Sequence, residues 1–358
     1  MRVSILGAGS IAFGTAAYLA GAGHDPMLWS PSGAGTTALA AGAPLVGKKA
    51  VEGTFKVRVA ASAEEAAADA EALVIALPGY GHKAVMDAVA PHLKAGQTVI
   101  ISSHASFGAL YLARLLADRG LSLPIVVWGT TLVMGRKTGD AEVTVNSVRQ
   151  KIDIATLPAS AIDEGHALCT ALFGDRFVKR DGLLAIALSN LNPQNHLGIG
   201  LLNLTRMDKG ETWGQSDHVT PTVGRVIEAL DLERLAIAEA FGLSVRTVRQ
   251  HFSLSYHVPE GSVSDMNAEI HKVGRGGFGP TTTESRYVLE DVPFGLCATA
   301  LLGRLVGKPA VLHEAGIAML SAAYARDLEA LNDLIPAIGL DKMGLDELKR
   351  VTTEGYAA

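Results

Sequence analysis

The residues of this sequence with the plainest chemistry are Gly7, Gly9 and Ala12, spaced G-x-G-x-x-A. They follow the apolar run Val3–Leu6, which reads as a buried strand, and they open an apolar-spaced helix, Ser10–Leu19. Each small residue has a physical task. Gly7 lets the backbone turn sharply, and Gly9 puts no side chain in the way of a pyrophosphate. Ala12, in a slot often held by a third glycine, lets helix and strand pack closely. The N–H groups at the helix start, from Ser10 and Ile11 onward, add donors and a partial positive charge. The spacing alone is weak. Directly after an N-terminal strand it predicts dinucleotide binding, against the plainer reading of a structural glycine turn.

A nicotinamide dinucleotide needs a proton donor beside the carbon that exchanges hydride. Histidine suits that task near neutral pH. A carboxylate on the other ring nitrogen fixes the tautomer, and an arginine grips a substrate carboxylate with two parallel hydrogen bonds. The second half of the chain holds His196, Asp291 and Arg286, which would make such a set. The chain has 11 histidines, so composition cannot select His196. A hydrogen-bonded core histidine is the competing reading, and Arg286 with Asp291 reads equally as a structural ion pair. His82, His92 and His104 lie near predicted connections and are assigned no role.

The elements that must position these residues alternate in the first half of the chain. Strands are expected at Pro26–Trp29, Lys56–Ala60, Ala72–Leu77, Thr98–Ser102, Pro124–Trp128, Glu142–Asn146 and Lys151–Thr156. Helices are expected between them, including one over Ser62–Ala70 capped by Ser62. This predicts an α/β class with a Rossmann-type doubly wound parallel sheet. Pro78-Gly79 ends a fully buried strand where a cofactor would lie. After the second strand comes Ser30-Pro31-Ser32-Gly33, with no acid for a ribose 2′-OH and hydroxyls that could donate to a 2′-phosphate. That favours NADP, with NAD as the alternative. Lys48 and Lys49 read as solvated loop residues.

From about Ser160 strands are expected to vanish and helices to dominate, giving a dinucleotide-binding domain over 1–178 and an all-helical substrate domain over 179–358. Asn192 is a candidate N-cap with Pro193 in the first turn, or Pro193 kinks one long helix. Asn190, Asn192, Gln194, Asn195 and His196 form a polar cluster that needs partners wherever it is buried. Ser264–Pro280 reads as a glycine-rich loop or lid. Trp213, Asp217, His218 and Arg225 could face substrate, although packing or surface roles suit each of them better.

Hydrophobic residues make up 48% of the 358 and charged ones 19%, which indicates well-buried globular domains. The net charge of −5 and the lack of a dense Lys/Arg cluster argue against nucleic-acid or membrane partners. The 2 cysteines, Cys169 and Cys297, have no metal-type spacing and suit a reducing compartment, so a soluble cytoplasmic protein with no metal is expected. Apolar helical faces suggest a homodimer.

Over nearly its whole length the chain resembles the opine dehydrogenase family, of the octopine/nopaline type. The resemblance is carried by GAGSIAFG, EVTVNSVRQKIDIATLPA, SNLNPQNH, TPTVGRVIEALDLERLAIAEAFGL and GPTTTESRYVLEDVPFGL, the last being the most specific. It implies a Rossmann domain plus an all-helical domain with substrate in the cleft. The implied activity is NAD(P)H-dependent reductive condensation of an amino acid with a 2-oxo acid such as pyruvate. By motif position it implies His196 as the catalytic histidine, Asp291 as its partner and Arg286 as the carboxylate anchor. The expected cofactor residues are Gly7, Gly9, Ser10, Ile11, Ala12, Ser30, Pro78 and Gly79. Two rivals remain. A ketopantoate-reductase-like or 3-hydroxyacid dehydrogenase would use one carbonyl substrate and commonly a lysine acid, whereas Lys209 here lies in a polar loop. A non-catalytic dinucleotide-binding protein would have lost the proton-handling residues.

Overall fold

The computed structural model describes residues 1–357. By internal contacts these fall into two compact units. The first is 1–186 with the C-terminal stretch from 337 onward, and the second is 187–336.

The first unit is built on an eight-stranded sheet in the order β12-β11-β8-β7-β6-β1-β2-β5. Its strands are β1 (Arg2–Leu6), β2 (Asp25–Trp29), β5 (Arg58–Val59), β6 (Ala72–Ile75), β7 (Thr98–Ile101), β8 (Ile125–Trp128), β11 (Ile152–Leu157) and β12 (Phe177–Lys179). All neighbours pair in parallel except β8 with β11. The central strands are short apolar runs because both faces are covered: β6, β7 and β8 are buried along their length. β1 lies between β2 and β6, so the strand order reverses there. In open α/β sheets the crevice at such a reversal receives ligands.

A second sheet was not expected. It has the order β4-β3-β10-β9 and comprises β3 (Leu45–Lys49), β4 (Gly53–Phe55), β9 (Val133–Gly139) and β10 (Glu142–Val148). It covers the first helix, Ser10–Gly21. A Cβ on Gly14 of that helix would lie 2.8 Å from Val133 and 3.3 Å from Val145. Phe13, Leu45, Val133, Val143 and Val145 are all fully buried in one core with β1. Only one face of these strands is apolar. The other carries Lys48, Arg136 and their neighbours, so three of the four give no continuous hydrophobic run in sequence. The strand expected over Lys56–Ala60 contracts to Arg58–Val59.

Other expectations shift at their edges. Ser62 does cap its helix, accepting a hydrogen bond from the Glu65 N–H at 3.1 Å. A strand persists beyond residue 160, because Phe177–Lys179 pairs with β11. The partition therefore differs from a division at 178/179. The helix Gly182–Ser189 spans the change of unit, and the last helix, Leu345–Glu354, belongs with the first unit. There Arg114 donates to the Ala337 carbonyl at 3.1 Å, and Leu348 and Val351 are buried. In the second unit, Ser264–Pro280 is largely the helix Val263–Lys272, started by Ser262.

His82 and His104 follow β6 and β7 and are buried. His82 donates from Nε2 to the Leu77 carbonyl at 3.0 Å. Burial lowers the His82 pKa to about 4, against that hydrogen bond. Burial, then the neighbouring His82, lowers that of His104 to about 3. Both rings are neutral in the folded chain but take up protons near 6.5 when it unfolds. Their contribution to stability is complete above pH 6.5 and is lost as the pH falls toward 4. The unfolding free energy in urea should decline over that window by up to about 1.4 kcal/mol per pH unit for each group. A His82→Gln variant should flatten the decline, and an unchanged slope would contradict the assignment.

Candidate active site

In the first unit the glycine turn has the geometry its sequence suggests. Gly7 has φ +144°, and a Cβ there would lie 2.5 Å from the Ala76 carbonyl oxygen, so β1 and the end of β6 touch only because this residue is glycine. Its N–H donates to the Trp29 carbonyl at 2.7 Å, which ties the turn to the end of β2. Gly9 precedes the first helix with no side-chain cap, and a Cβ there would meet nothing within 4 Å. The open space above Gly9, with the uncapped N–H groups of Ser10, Ile11 and Ala12, fits a pyrophosphate. Ala12 is fully buried against the strand side.

Beyond β2 lies a 940 Å³ cavity lined by Trp29, Ser30, Ser32, Thr36 and Lys56, among others. The Ser30 Oγ is buried without a hydrogen-bond partner, as expected of a group shaped for a ligand. Pro78 and Gly79 sit just past β6, where Gly79 opens a short 3₁₀ turn.

In the second unit the site is built on the helix Asn192–Leu202. Pro193 lies in the first turn as expected, but the N-cap is not Asn192 and Pro193 does not kink one long helix. Two helices are separated by a break, Asn192 is already helical, and Leu191 takes the N-cap position. The side-chain acceptor comes from Asn190, whose Oδ1 receives the Asn192 N–H at 3.1 Å. The preceding helix end is held by Arg234, fully buried, which donates to the Leu188 carbonyl. Arg234 is itself paired with Asp231 at 2.6 Å.

Part of the polar cluster finds partners, while the buried Gln194 Oε1 and Asn195 Oδ1 have none among the described residues. Gln194 Nε2 meets His313 Nε2 at 3.2 Å, and His313 Nδ1 meets Glu233 at 2.8 Å. This sets the His313 tautomer, with Nδ1–H donating to the carboxylate and Nε2 accepting from the amide. Burial opposes the charge of Glu233, yet the bonds from His313 and the Leu312 and His313 N–H groups outweigh it and lower its pKa.

His196 meets Asp291 across 95 residues of sequence, with Nδ1 to Oδ2 at 2.7 Å. Their side chains are 19% and 17% exposed. The Tyr287 ring stacks on the imidazole, with centroids 3.6 Å apart and planes 10° from parallel. Tyr287 and Asp291 are four residues apart, so one helical face brings both to His196: one supports the ring's flat side and the other holds its edge. The Tyr287 hydroxyl donates to Gln215 Oε1, and burial, then Asp291, raises its pKa. Among the described residues, no protein group hydrogen-bonds His196 Nε2.

Arg286 does not pair with Asp291, as one sequence reading had it. Its Nε bonds Glu290, again four residues on, and its side chain is 65% exposed. Tyr287 and Gln215 were missed in the sequence. The signal that could have found Tyr287 is its i,i+4 relation to Asp291. Trp213 is a core residue, buried and donating to the Pro280 carbonyl at 2.9 Å. Asp217, His218 and Arg225 have local partners or surface positions. Among the described residues, no group of three or more His, Cys, Asp or Glu could hold a metal ion.

Close packing brings the two halves of this pair together. A π-helical turn, Val292–Leu296, follows Asp291 directly. Within it, a Cβ on Gly295 would lie 2.3 Å from Pro193 Cγ, so the segment carrying Asp291 lies hard against the first turn of the helix carrying His196.

A carboxylate and an aromatic ring set around one histidine in the second unit, and a glycine turn at a sheet reversal in the first, are the features of a nicotinamide-dependent dehydrogenase. The family model described as NAD/NADP octopine/nopaline dehydrogenase, alpha-helical domain, matches residues 179–324, and that of ketopantoate reductase PanE/ApbA matches 3–158. An opine dehydrogenase of Arthrobacter sp. (strain 1C) is 29% identical over 276 residues, covering 76% of each chain. A solved octopine dehydrogenase with NADH and L-arginine shares the fold, with a TM-score of 0.80 at 16% identity, covering 99% of this chain and 98% of that one. A yersinopine dehydrogenase with NADP+ bound gives 0.72 at 15% identity, covering 96% and 98%. A ketopantoate reductase from Ralstonia eutropha gives 0.59 at 17%, covering 96% and 100%. The chain is thus similar to opine dehydrogenases, in its helical domain by the family model and over 76% of its length by the Arthrobacter relative.

The Gly295–Pro193 contact is testable. Gly295→Ala should lower the unfolding free energy by about 1–3 kcal/mol through overpacking, measured in urea. Pro193→Ala in the same chain should recover part of that loss, a coupling expected only of residues in contact. Additive losses would show that the contact is not tight.

Proposed function

We propose that the protein condenses an amino acid with a pyruvate-like 2-oxo acid and reduces the resulting imine with NAD(P)H. The product is an N-(carboxyalkyl)amino acid. The observation that carries this reading is the His196–Asp291 hydrogen bond, buttressed by Tyr287, in a chain similar to opine dehydrogenases. Octopine dehydrogenase has been solved with NADH and L-arginine and with NADH and pyruvate, the two substrate classes the proposal needs.

The nicotinamide, when bound, supplies the hydride. The turn Gly7–Ala12 would hold its phosphates by N–H donation, and Ser30, Pro78 and Gly79 would complete the cofactor site. The absence of an acid after β2 favours NADP. The protein's work on the substrates is proton handling and orientation. Asp291 accepts from Nδ1–H and so leaves Nε2 as the nitrogen that takes up and releases the exchanging proton. As amine and carbonyl condense, the oxygen leaves as water and takes a proton, which His196 delivers from Nε2 when its ring is doubly protonated, returning to the neutral Nδ1–H form. As hydride reaches carbon 2, the nitrogen becomes a secondary amine and one proton is consumed overall. Arg286, steadied by Glu290, takes the oxo-acid carboxylate.

The match to ketopantoate reductase over 3–158 favours a second reading, a dehydrogenase of one carbonyl substrate. His196 with Asp291 supports the first more strongly, since Lys209 is exposed in a turn. We also place the protein in the cytoplasm, which suits its buried free cysteines. No helix among the described residues is long and apolar enough to cross a membrane. Exposed Leu232, Val311 and Met319 support a homodimer.

The test is an assay of oxo acids against amines, with NADPH and NADH run separately. Cofactor oxidation should require both an oxo acid and an amino acid and should be faster with NADPH. Oxidation by the oxo acid alone, unaffected by any amine, would establish the second reading instead. His196→Ala and Asp291→Asn should each lower turnover by at least about 100-fold without loss of fold. Full turnover by folded His196→Ala would overturn the assignment.

A further inference from the structure

The second sheet brings a cation to the glycine turn. Lys137 lies on β9, and its backbone N–H donates to Ser10 Oγ at 2.9 Å. Its ammonium donates to the Gly35 carbonyl at 2.5 Å and sits over the Phe13 ring, 4.0 Å from the centroid. Gly35 belongs to the loop after β2, and a Cβ there would lie 2.7 Å from Ala8 Cβ, so that loop rests on the glycine turn itself. Ser10 is the first residue of the first helix. The Lys137 ammonium is thus fixed where the phosphate-binding turn and the post-β2 loop meet.

Lys137 is partly buried there. Burial lowers the lysine's pKa, with the distant charge of Asp140 opposing. Among the described residues, no carboxylate forms an ion pair with it. An ammonium has three donors, and the Gly35 carbonyl takes one. Ser10 Oγ accepts from the Lys137 backbone, which leaves its hydroxyl hydrogen to donate. A cation with donors to spare beside a hydroxyl donor and uncapped helix N–H groups is a receptor for phosphate oxygens.

We propose that Lys137 binds a phosphate group of the dinucleotide, acting with the Ser10 hydroxyl. The inference rests on the dinucleotide reading of the first unit. Two phosphates share this chemistry, the pyrophosphate and the 2′-phosphate of an NADP-type cofactor, and binding measurements separate them.

The experiment titrates the full-length protein with NADPH, NADH, 2′,5′-ADP and ADP, comparing wild type with Lys137→Met and Lys137→Arg. Lys137→Met should raise Kd about 10-fold, the size expected for a lost charge-assisted hydrogen bond. It should also flatten the weakening of binding by salt, and Lys137→Arg should restore most of the affinity. Loss confined to NADPH and 2′,5′-ADP assigns the 2′-phosphate; equal loss for all four assigns the pyrophosphate. Wild-type affinities in Lys137→Met overturn the proposal, as does weaker binding with an unchanged salt dependence, which marks a structural residue. A wild type that binds none of the four overturns the dinucleotide reading and this inference with it.

Discussion

The hydrogen bond between His196 and Asp291 is the interaction on which the second unit depends. A part-buried imidazole can take either tautomer and can swing about its side-chain torsions. Asp291 removes the first freedom, and the stacked Tyr287 ring removes much of the second, at about 0.5–1.5 kcal/mol for such a ring pair. These restraints have to be placed accurately, and the surrounding structure serves that end. Asn190 starts the helix of His196. Arg234 holds the preceding helix by the Leu188 carbonyl. Gly295 lets the segment of Asp291 lie directly on Pro193. On another face of the same helix, the buried Gln194–His313–Glu233 chain anchors it to two further helices.

The first unit meets a different constraint, the approach of backbone to an anionic ligand. Gly7 is pressed against the Ala76 carbonyl, and Gly9 faces open space. The small sheet over the first helix keeps Phe13 and Gly14 buried while bringing polar side chains to the helix's start. One layer thus serves both packing and ligand recognition.

Legibility in the sequence followed the range of the interaction. Gly7, Gly9 and Ala12 were readable because all their determinants lie within a few residues of each other. The central strands were readable because burial on both faces leaves an uninterrupted apolar run. β3, β4 and β9 were not, since one-sided burial interrupts that run with Gly47, Lys48 and Arg136. His196 and Asp291 are far apart in sequence, and no local spacing links them; motif resemblance suggested the pair and the fold brings it together. Arg286 was readable as a residue but not in its pairing, because the i,i+4 geometry that joins it to Glu290 excludes Asp291 one position further on. Lys137 carried no signal, since its meaning comes from a strand that crosses to the glycine turn.

The account stands on Asp291 fixing the proton of His196 on Nδ1. The direct measurement is two-bond proton–nitrogen NMR on histidine-labelled protein, with His196 assigned by substitution. The account predicts, for the neutral ring, a protonated Nδ1 and an unprotonated Nε2 in wild type, with loss of that preference in Asp291→Asn. A wild-type ring protonated on Nε2 instead, or one whose tautomer is unchanged by Asp291→Asn, would contradict it.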